Sequence, residues 1–444
     1  MGLQIIGIGG YSEVGKNMTA VKVDNEIIIL DMGLYIPKLV EYEDEDPRDL
    51  SVELLTKREI VPDDSILKKE RHNVKAIVVG HAHLDHVGAV PFLCHNYTCP
   101  IIATPFTIEI LEGLAREKHI KIKNKIRKLN PGSVIKISNN ISIEFIHITH
   151  STIQTALIAV HTKYGTIVYA NDFKLDNDPT LGNKPDYAKI MQLGNKGVLA
   201  LIMESLYSHK EGKTPSEKVA REMLKDVLLG TNNKNKLVVV TTFSSHIARI
   251  KSIIEYGKRM NRKVVLLGRS MEKYVSAAEK IKFVNFRKDA EVVGYADVIK
   301  KKLKHIEKEG RDKYLIICTG NQGEPRSVLS KMIDGVFPWT WLPGDHVVFS
   351  SSTIPTKETI ANRKLIEDKL SRRKIRIFKD IHVSGHAFKE DLRYMIEMLK
   401  PKHLFPSHGD VSYQQGLEDV AEELGHKKEN IHLMKNGSII TLVS

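Results

Sequence analysis

His81-Ala82-His83-Leu84-Asp85-His86 gathers three imidazoles and a carboxylate into six residues. Imidazole nitrogen and carboxylate oxygen are the ligands that zinc accepts, and manganese where oxygen is more plentiful. His81 and His83, two residues apart, can point at one ion while Asp85 and His86 swing toward a second. A surface histidine cluster is the competing reading, but three His and one Asp at fixed spacing are hard to obtain by chance. Cys94, Cys99 and Cys318 are the only cysteines and form no CxxC pair, which excludes a disulfide framework and a thiolate-rich zinc site. Any metal must therefore be held by His and carboxylates. His150, Asp172 and His408 offer further ligand-type side chains where a strand-like run meets a loop. Singly, each histidine is more often a satisfied core or loop residue, and Asp172 or Asp31 can equally serve a turn. Beside HxHxDH, the ligand reading wins.

Elements of two kinds must position these groups. From the start, β-rich runs alternate with turn residues: LQIIGIGG, MTAVKV, EIIILDMG, KAIVVGH, PIIAT, VIKI, ISIEFIHITH, TALIAVH, TIVYAND and VLALIMES. They predict the strands of a layered, sheet-rich domain with an occasional helix such as Phe106 to Lys118. Residues 40 to 72 read as a loop or insertion. After Ser205 the order becomes helix then strand, repeated, beginning with a helix opened by Pro215 and Ser216. That alternation predicts a parallel α/β domain with helices on both faces. A third segment begins between residues 371 and 385. The last 60 residues are too few for a core of their own and are expected to pack back on the first domain. The predicted division is 1–208, 209–372 and 373–444.

The 444 residues are 42% apolar and 27% charged, which excludes collagen, coiled coil and wholesale disorder. A net charge of +13 favours a polyanionic partner over a neutral small substrate. No apolar run reaches the ~18 residues of a membrane span, and the N-terminus lacks the features of a signal peptide, so a cytoplasmic protein is expected. Gly10-YSEV-Gly15-Lys16 imitates a phosphate-binding loop. Position 17 is Asn, without the hydroxyl that would ligate magnesium, and a strand follows instead of a helix, so nucleotide binding there is rejected.

HAHLDH, with ILDMG before it and His150 and Asp172 after it, resembles the metallo-β-lactamase superfamily. Glu204-Ser205, His386 in VSGHA and His408 in PSHGD resemble the three motifs of its β-CASP group, which cuts nucleic acids. GGYSEVGKN, GRSM, TGNQGEP and VSGHA are similar to the ribonuclease J family, and ending at Ser444 resembles its archaeal form. The fold class implied is α/β: a metallo-β-lactamase αββα sandwich with an inserted parallel α/β β-CASP domain.

The resemblance also implies chemistry. His81, His83, His150 and Asp172 would bind one Zn²⁺, and Asp85, His86, His408 and a shared Asp172 oxygen a second, two per subunit, with Mn²⁺ as the alternative. Metal-activated hydroxide would attack the phosphodiester. His386 would protonate the leaving oxygen, Glu204 would fix its ring, and Asp31 would orient a ligand histidine. Phe243, Ser244, Ser245, Arg269 and the run His382, Val383, Ser384, Gly385, His386 would form a pocket for a 5′-monophosphate, setting 5′ to 3′ degradation of single-stranded RNA. The basic stretches Arg116 to Lys128, SRRKIRIFK and KKKLKHIEK read first as solvated faces, and together with the net charge as a track for that RNA. A homodimer is implied. The rivals are a strict endonuclease, toward which MESLY leans, and a metal-stabilised RNA-binding scaffold without catalysis. A lactamase or thioesterase needs neither the insert nor the basicity.

Overall fold

The computed structural model describes residues 2–41, 51–354 and 357–443. The chain forms two compact units: Met1–Asn177 with Asn183–Thr214 and Gly385–Ser444, and Asp178–Gly182 with Pro215–Ser384.

The first unit contains two sheets. One orders its strands Ile439–Val443, Leu3–Gly9, Met18–Val23, Glu26–Leu30, Val74–Val79, Ile101–Ala103 and Ile126–Lys128. The other runs Pro401–Ser407, Val198–Glu204, Gly165–Ala170, Ala156–Thr162, Ile141–His147 and Val134–Lys136. Val21, Ile28 and Val78 of the first sheet share one buried cluster with Phe145, Ile158, Ile202 and Phe405 of the second, so the sheets pack face to face. The alternate residues Ile27, Ile29, Ile77 and Val79 are also buried, as strands covered on both faces require. The outer face of the second sheet is closed by helices Tyr187–Lys196, Lys389–Leu399 and Val411–Glu423, which set Ile190, Met395, Ile396 and Leu417 against Leu157, Val168 and Leu201. On the first sheet, helix Pro105–Glu117 lies beside Ile126–Lys128. This is the expected αββα layering. The late segment supplies a strand to each sheet: Ile439–Val443 pairs antiparallel with Leu3–Gly9, and Pro401–Ser407 parallel with Val198–Glu204.

The second unit is one parallel sheet in the order Ala290–Val293, Lys263–Leu267, Tyr314–Cys318, Val238–Thr241, His346–Phe349, Arg376–Phe378. Its strands are nearly continuous Val/Ile/Leu; amphipathic helix Glu217–Gly230 leads into Val238–Thr241, and Ile247–Arg259 connects that strand to Lys263–Leu267. Ser216 caps the first helix by accepting from the Lys218 amide.

Two details add to the expectations. As compact units the chain changes over after Thr214 and after Ser384, a few residues beyond the expected 208 and 372. Residues 210–214 stay with the first unit because the Lys389 amide donates to the Lys210 carbonyl at 3.0 Å, that of Glu390 to Gly212 at 3.1 Å, and Asp391 accepts from the Thr214 amide at 2.8 Å. Residues 373–384 stay with the second because Arg376–Phe378 is the outermost strand of its sheet and Arg249 donates to the Ile381 carbonyl at 3.2 Å. The stretch expected to be a loop or insertion, 40–72, carries helix Val52–Lys57 and short 3₁₀ turns, with residues 42–50 outside those described.

Candidate metal centre

Strand Val74–Val79 ends at Gly80, and the next six residues leave the sheet to start the helical turn Leu84–Val87. The loop is zipped to the ILDMG segment: the Met32 amide donates to the His86 carbonyl at 2.7 Å and the Leu34 amide to that of Leu84 at 2.9 Å. Between them sits Gly33, where an added Cβ would lie 1.6 Å from the Asp85 carbonyl oxygen. Only glycine permits that approach.

His81, His83, His150 and Asp172 bring one ligand-type atom each to within 4.8 Å of one another, and Asp85, His86 and His408 do the same. Asp172 joins the two sets. Its Oδ2 lies 3.3 Å from His81 Nε2, 3.2 Å from His86 Nε2 and 3.5 Å from His150 Nε2, and its Oδ1 3.6 Å from His408 Nδ1. His83 Nδ1 is 3.2 Å from His81 Nε2 and 3.0 Å from His150 Nε2. Facing imidazole nitrogens need a proton or a cation between them, and three converging nitrogens have too few protons to serve every contact. The buried Asp172 Oδ1 has no hydrogen-bond partner, a cost that an isolated anionic oxygen incurs only if something else satisfies it. The donor set fits divalent cations.

The surrounding groups aim the ligands. Asp31 Oδ2 accepts from His86 Nδ1 at 2.7 Å, and its Oδ1 accepts from the Gly80 amide at 2.8 Å. That fixes the proton on Nδ1 and leaves His86 Nε2 facing Asp172. His150 Nδ1 donates in the same way to the Gly385 carbonyl at 2.7 Å. Asp31, Asp172 and His408 all adopt left-handed backbone, at φ 59°, 60° and 47°. Non-glycine residues seldom do so without constraint, which is typical of functional loops.

Charge follows from burial and neighbours. Burial, then adjacent imidazoles, holds His83 and His150 well below the ordinary histidine value and lowers His81, while burial brings His408 down to about 4. Neutral imidazoles are what a cation needs. Burial would raise Asp172, but His408, His86 and His386 outweigh it and keep the carboxylate ionised. Burial likewise opposes charge on His86, yet Asp172, Asp85 and Asp31 raise it well above the usual range.

Glu204, at the end of strand Val198–Glu204 and wholly buried, accepts from the Phe173 amide through Oε1 at 2.6 Å and from His386 Nδ1 through Oε2 at 2.7 Å. His386 Nδ1 stands 4.0 Å from Asp172 Oδ1. Burial lifts Glu204 to about 7. It would depress His386, but Glu204 and Asp172 overcome it and raise the imidazole to about 9, so the shared proton rests on His386.

Every residue named for the metal centre from the sequence is thus gathered within the first unit, with His386, Glu204 and Asp31 beside the ligands. Of the residues named for a terminal phosphate, Gly385 and His386 are in the first unit, and Phe243, Ser244, Ser245, Arg269, His382, Val383 and Ser384 in the second. There Ser244 Oγ meets Ser270 Oγ at 2.9 Å, linking the loop after Val238–Thr241 to the helix that opens at Arg269.

Sequence reasoning missed Asn17. Its Nδ2 lies 3.0 Å from His86 Nε2 and 2.8 Å from His408 Nδ1, and Asn171 Nδ2 reaches its Oδ1 at 3.3 Å. Asn171 is in turn held by Ser407, whose hydroxyl donates to it at 2.6 Å. The signals were Asn17's place at the end of the GGYSEVGKN motif and in the rejected phosphate-loop pattern. What disqualified it there, an amide in place of a hydroxyl, suits it to stand between two imidazoles.

A family model described as the beta-CASP domain of ribonuclease J matches residues 235–368, a Zn-dependent metallo-hydrolase RNA specificity domain matches 372–434, and a beta-lactamase superfamily domain matches 53–186. The chain is 48% identical to Ribonuclease J of Methanocaldococcus jannaschii, over 99% of each chain. It is 38% identical to Ribonuclease J of Pyrococcus abyssi over 99% of this chain and 97% of that one, and 31% identical to Ribonuclease J of Helicobacter pylori strain 26695 over 98% of this chain and 60% of that one. A crystal structure of an Enterococcus faecalis V583 protein of unknown function shares the fold, with TM-score 0.64 and 18% identity, covering 99% of this chain and 100% of that one. Among the described residues no helix is long and apolar enough to cross a membrane. With the fold, the gathered His/Asp set and full-length identity pointing the same way, the chain belongs to the ribonuclease J family, a metallo-β-lactamase fold carrying a β-CASP domain.

Proposed function

We propose that this chain is a zinc-dependent 5′ to 3′ exoribonuclease that degrades single-stranded, 5′-monophosphorylated RNA in the cytoplasm, with endonucleolytic cutting as a second activity and RNA decay and maturation as its setting. A homodimer is part of the proposal. The observation that carries it is Asp172, one buried carboxylate that meets both sets of ligand-type side chains, Oδ2 facing His81, His150 and His86 and Oδ1 facing His408.

His81, His83 and His150 would hold one cation and Asp85, His86 and His408 the other, with Asp172 shared, zinc being favoured by the imidazole-rich donors and manganese the alternative. Such a pair supplies Lewis acidity, easing ionisation of a water at neutral pH and offsetting charge that builds on the attacked phosphate. The chain's own residues do the rest. Asp31 and the Gly385 carbonyl keep His86 and His150 in the tautomer that presents Nε2. His386 donates its proton to the departing 3′ oxygen, and Glu204, bound to its Nδ1, leaves Nε2 as the donating atom and favours the charged ring. Ser244, Ser245, Arg269 and the run His382 to His386 offer hydroxyls, backbone N–H groups and a guanidinium suited to a terminal phosphate.

The test uses metal-replete protein and RNA labelled at each end in turn. Mononucleotides released from the 5′ end, faster with a 5′-monophosphate than with a triphosphate or hydroxyl, are expected. Internal fragments alone would move the assignment to a strict endonuclease, and equal rates for the three ends would remove the phosphate pocket. His83→Ala or Asp85→Ala should abolish cleavage and lose a metal while RNA still binds. RNA bound but never cut by the loaded wild-type protein would favour the scaffold reading.

A further inference from the structure

Helix Ala296–Glu309 of the second unit buries Ile299, Leu303 and Ile306 against its sheet. On the opposite side, Lys300, Lys301, Lys304 and Lys308 fall within an arc of about 100°, taking 3.6 residues per turn. All four are exposed, and among the described residues none has an ion-pair partner. The acids of this helix that might have answered them are turned to other work: Glu309 binds Lys263, Tyr314 and His305, and Glu307 accepts from the Thr340 amide. Asp297 is the one carboxylate left on the same arc, so four lysines face one acid and the stripe has a formal charge of about +3.

A second, independent feature adjoins it. Tyr295, the residue that precedes the helix, is 66% exposed, more than any other large hydrophobic residue among those described, and Val298 beside it is 50% exposed. An aromatic face left in water next to an unneutralised row of lysines is what a nucleic-acid strand needs, phosphates on the lysines and a base on the ring.

The neighbouring features do not compete. A cavity of about 660 Å³ along the edge strand Ala290–Val293 is lined by Lys263, Arg287, Lys288 and Lys302, but three of the four are paired, with Glu309, Glu279 and Glu291, which among the described residues leaves Lys288 alone in place of a row. Lys121, Lys123 and Lys125 are exposed too, but they lead into the edge strand Ile126–Lys128, where lysines serve to prevent edge-to-edge pairing.

We infer that the outward face of Ala296–Glu309, with Tyr295, is an RNA-binding surface that grips the backbone of long substrates and is carried wholly by the second unit. The inference rests on the proposal that RNA is the substrate. Lys300, Lys304 and Lys308 recur every four residues, a rise of about 6 Å each, so successive lysines meet successive stretches of one extended strand.

The test measures binding of a 40-nucleotide unstructured RNA against salt, together with turnover of a six-nucleotide RNA, for the wild type, a Lys300→Gln/Lys301→Gln/Lys304→Gln/Lys308→Gln variant and Tyr295→Ala. All five positions are solvent-exposed, and an unchanged thermal midpoint verifies folding. The lysine variant should lower the slope of log K against log salt by about 2 to 3, since each of up to four phosphate contacts on a single strand contributes about 0.7. Tyr295→Ala should weaken binding about fivefold or more with no change of slope, because stacking releases no counterions. Six-nucleotide turnover should match the wild type. An unchanged slope in the lysine variant, unchanged affinity in Tyr295→Ala, or parallel loss of six-nucleotide turnover overturns the inference. Wild-type protein that fails to cut either RNA instead sinks the nuclease reading on its own.

Discussion

Glu204 and His386 make a two-atom argument. One carboxylate oxygen is committed to the Phe173 amide and the other to the imidazole, so the ring has one orientation available. His386→Gln therefore removes a proton donor while leaving all seven residues of the two ligand sets in the chain. Zinc content should stay at the wild-type level while the single-turnover rate falls about 10²-fold or more, the scale of lost general acid catalysis. An undiminished rate would take the role from His386. At this scale the sequence was legible where spacing itself carries chemistry. His81 to His86 announces a metal loop because four ligand-type side chains in six residues have few other uses. Asn17 had no such spacing: a single amide 64 residues before His81 becomes interpretable only when folding sets it between His86 and His408.

Elements decide whether those side chains meet. The ILDMG turn and the HAHLDH loop touch backbone to backbone, and Gly33 is the point of closest approach, with no room for a Cβ beside the Asp85 carbonyl. Gly33→Ala should push the two loops apart, lowering affinity for both cations together and destabilising the first unit by about 1–3 kcal/mol, as overpacking does. Metal titration beside thermal melting checks this, and loss of only one metal would argue against a single shared displacement. The β-rich runs and the helix–strand alternation were readable because hydrophobic period reports burial on one face or two. The changeovers after Thr214 and Ser384 were not. Arg376–Phe378 is only three residues long, and what assigns it to the second unit is its partner His346–Phe349, a pairing with no local signature.

For the molecule as a whole, stability is expected to depend on pH and on metal in different units. In the second unit, Arg249 is fully buried and grips Glu217 with two hydrogen bonds, Nε to Oε1 at 2.5 Å and Nη2 to Oε2 at 2.8 Å. Burial would raise Glu217, but Arg249 and His246 outweigh it and hold the carboxyl well below the ordinary glutamate value. A depressed folded value means the pair's contribution is complete above about pH 4.5 and fades as pH falls through the folded value. Glu217→Gln should accordingly cost about 3–5 kcal/mol at neutral pH, the penalty of stranding a buried Arg, and flatten the acid limb of the stability curve. Equal pH dependence in variant and wild type would refute the linkage. In the first unit, the residues that would hold cations come together only where the loops are assembled. Chelation should lower its melting transition by an amount that grows with the metal concentration withdrawn, about 2.7 kcal/mol when the free metal had stood at a hundred times its Kd.

The order in which the strands are joined reaches into synthesis itself. Val198–Glu204 has no neighbour on one side until Pro401–Ser407 arrives, and the same late strand delivers His408. A ribosome that has made the first 400 residues therefore carries a chain with six of the seven gathered ligand-type residues, Asp85 and His86 still wanting the imidazole of His408. If cutting needs both ligand sets, as proposed, the site would stay harmless to the messenger being translated until residue 408 has cleared the exit tunnel and found its place.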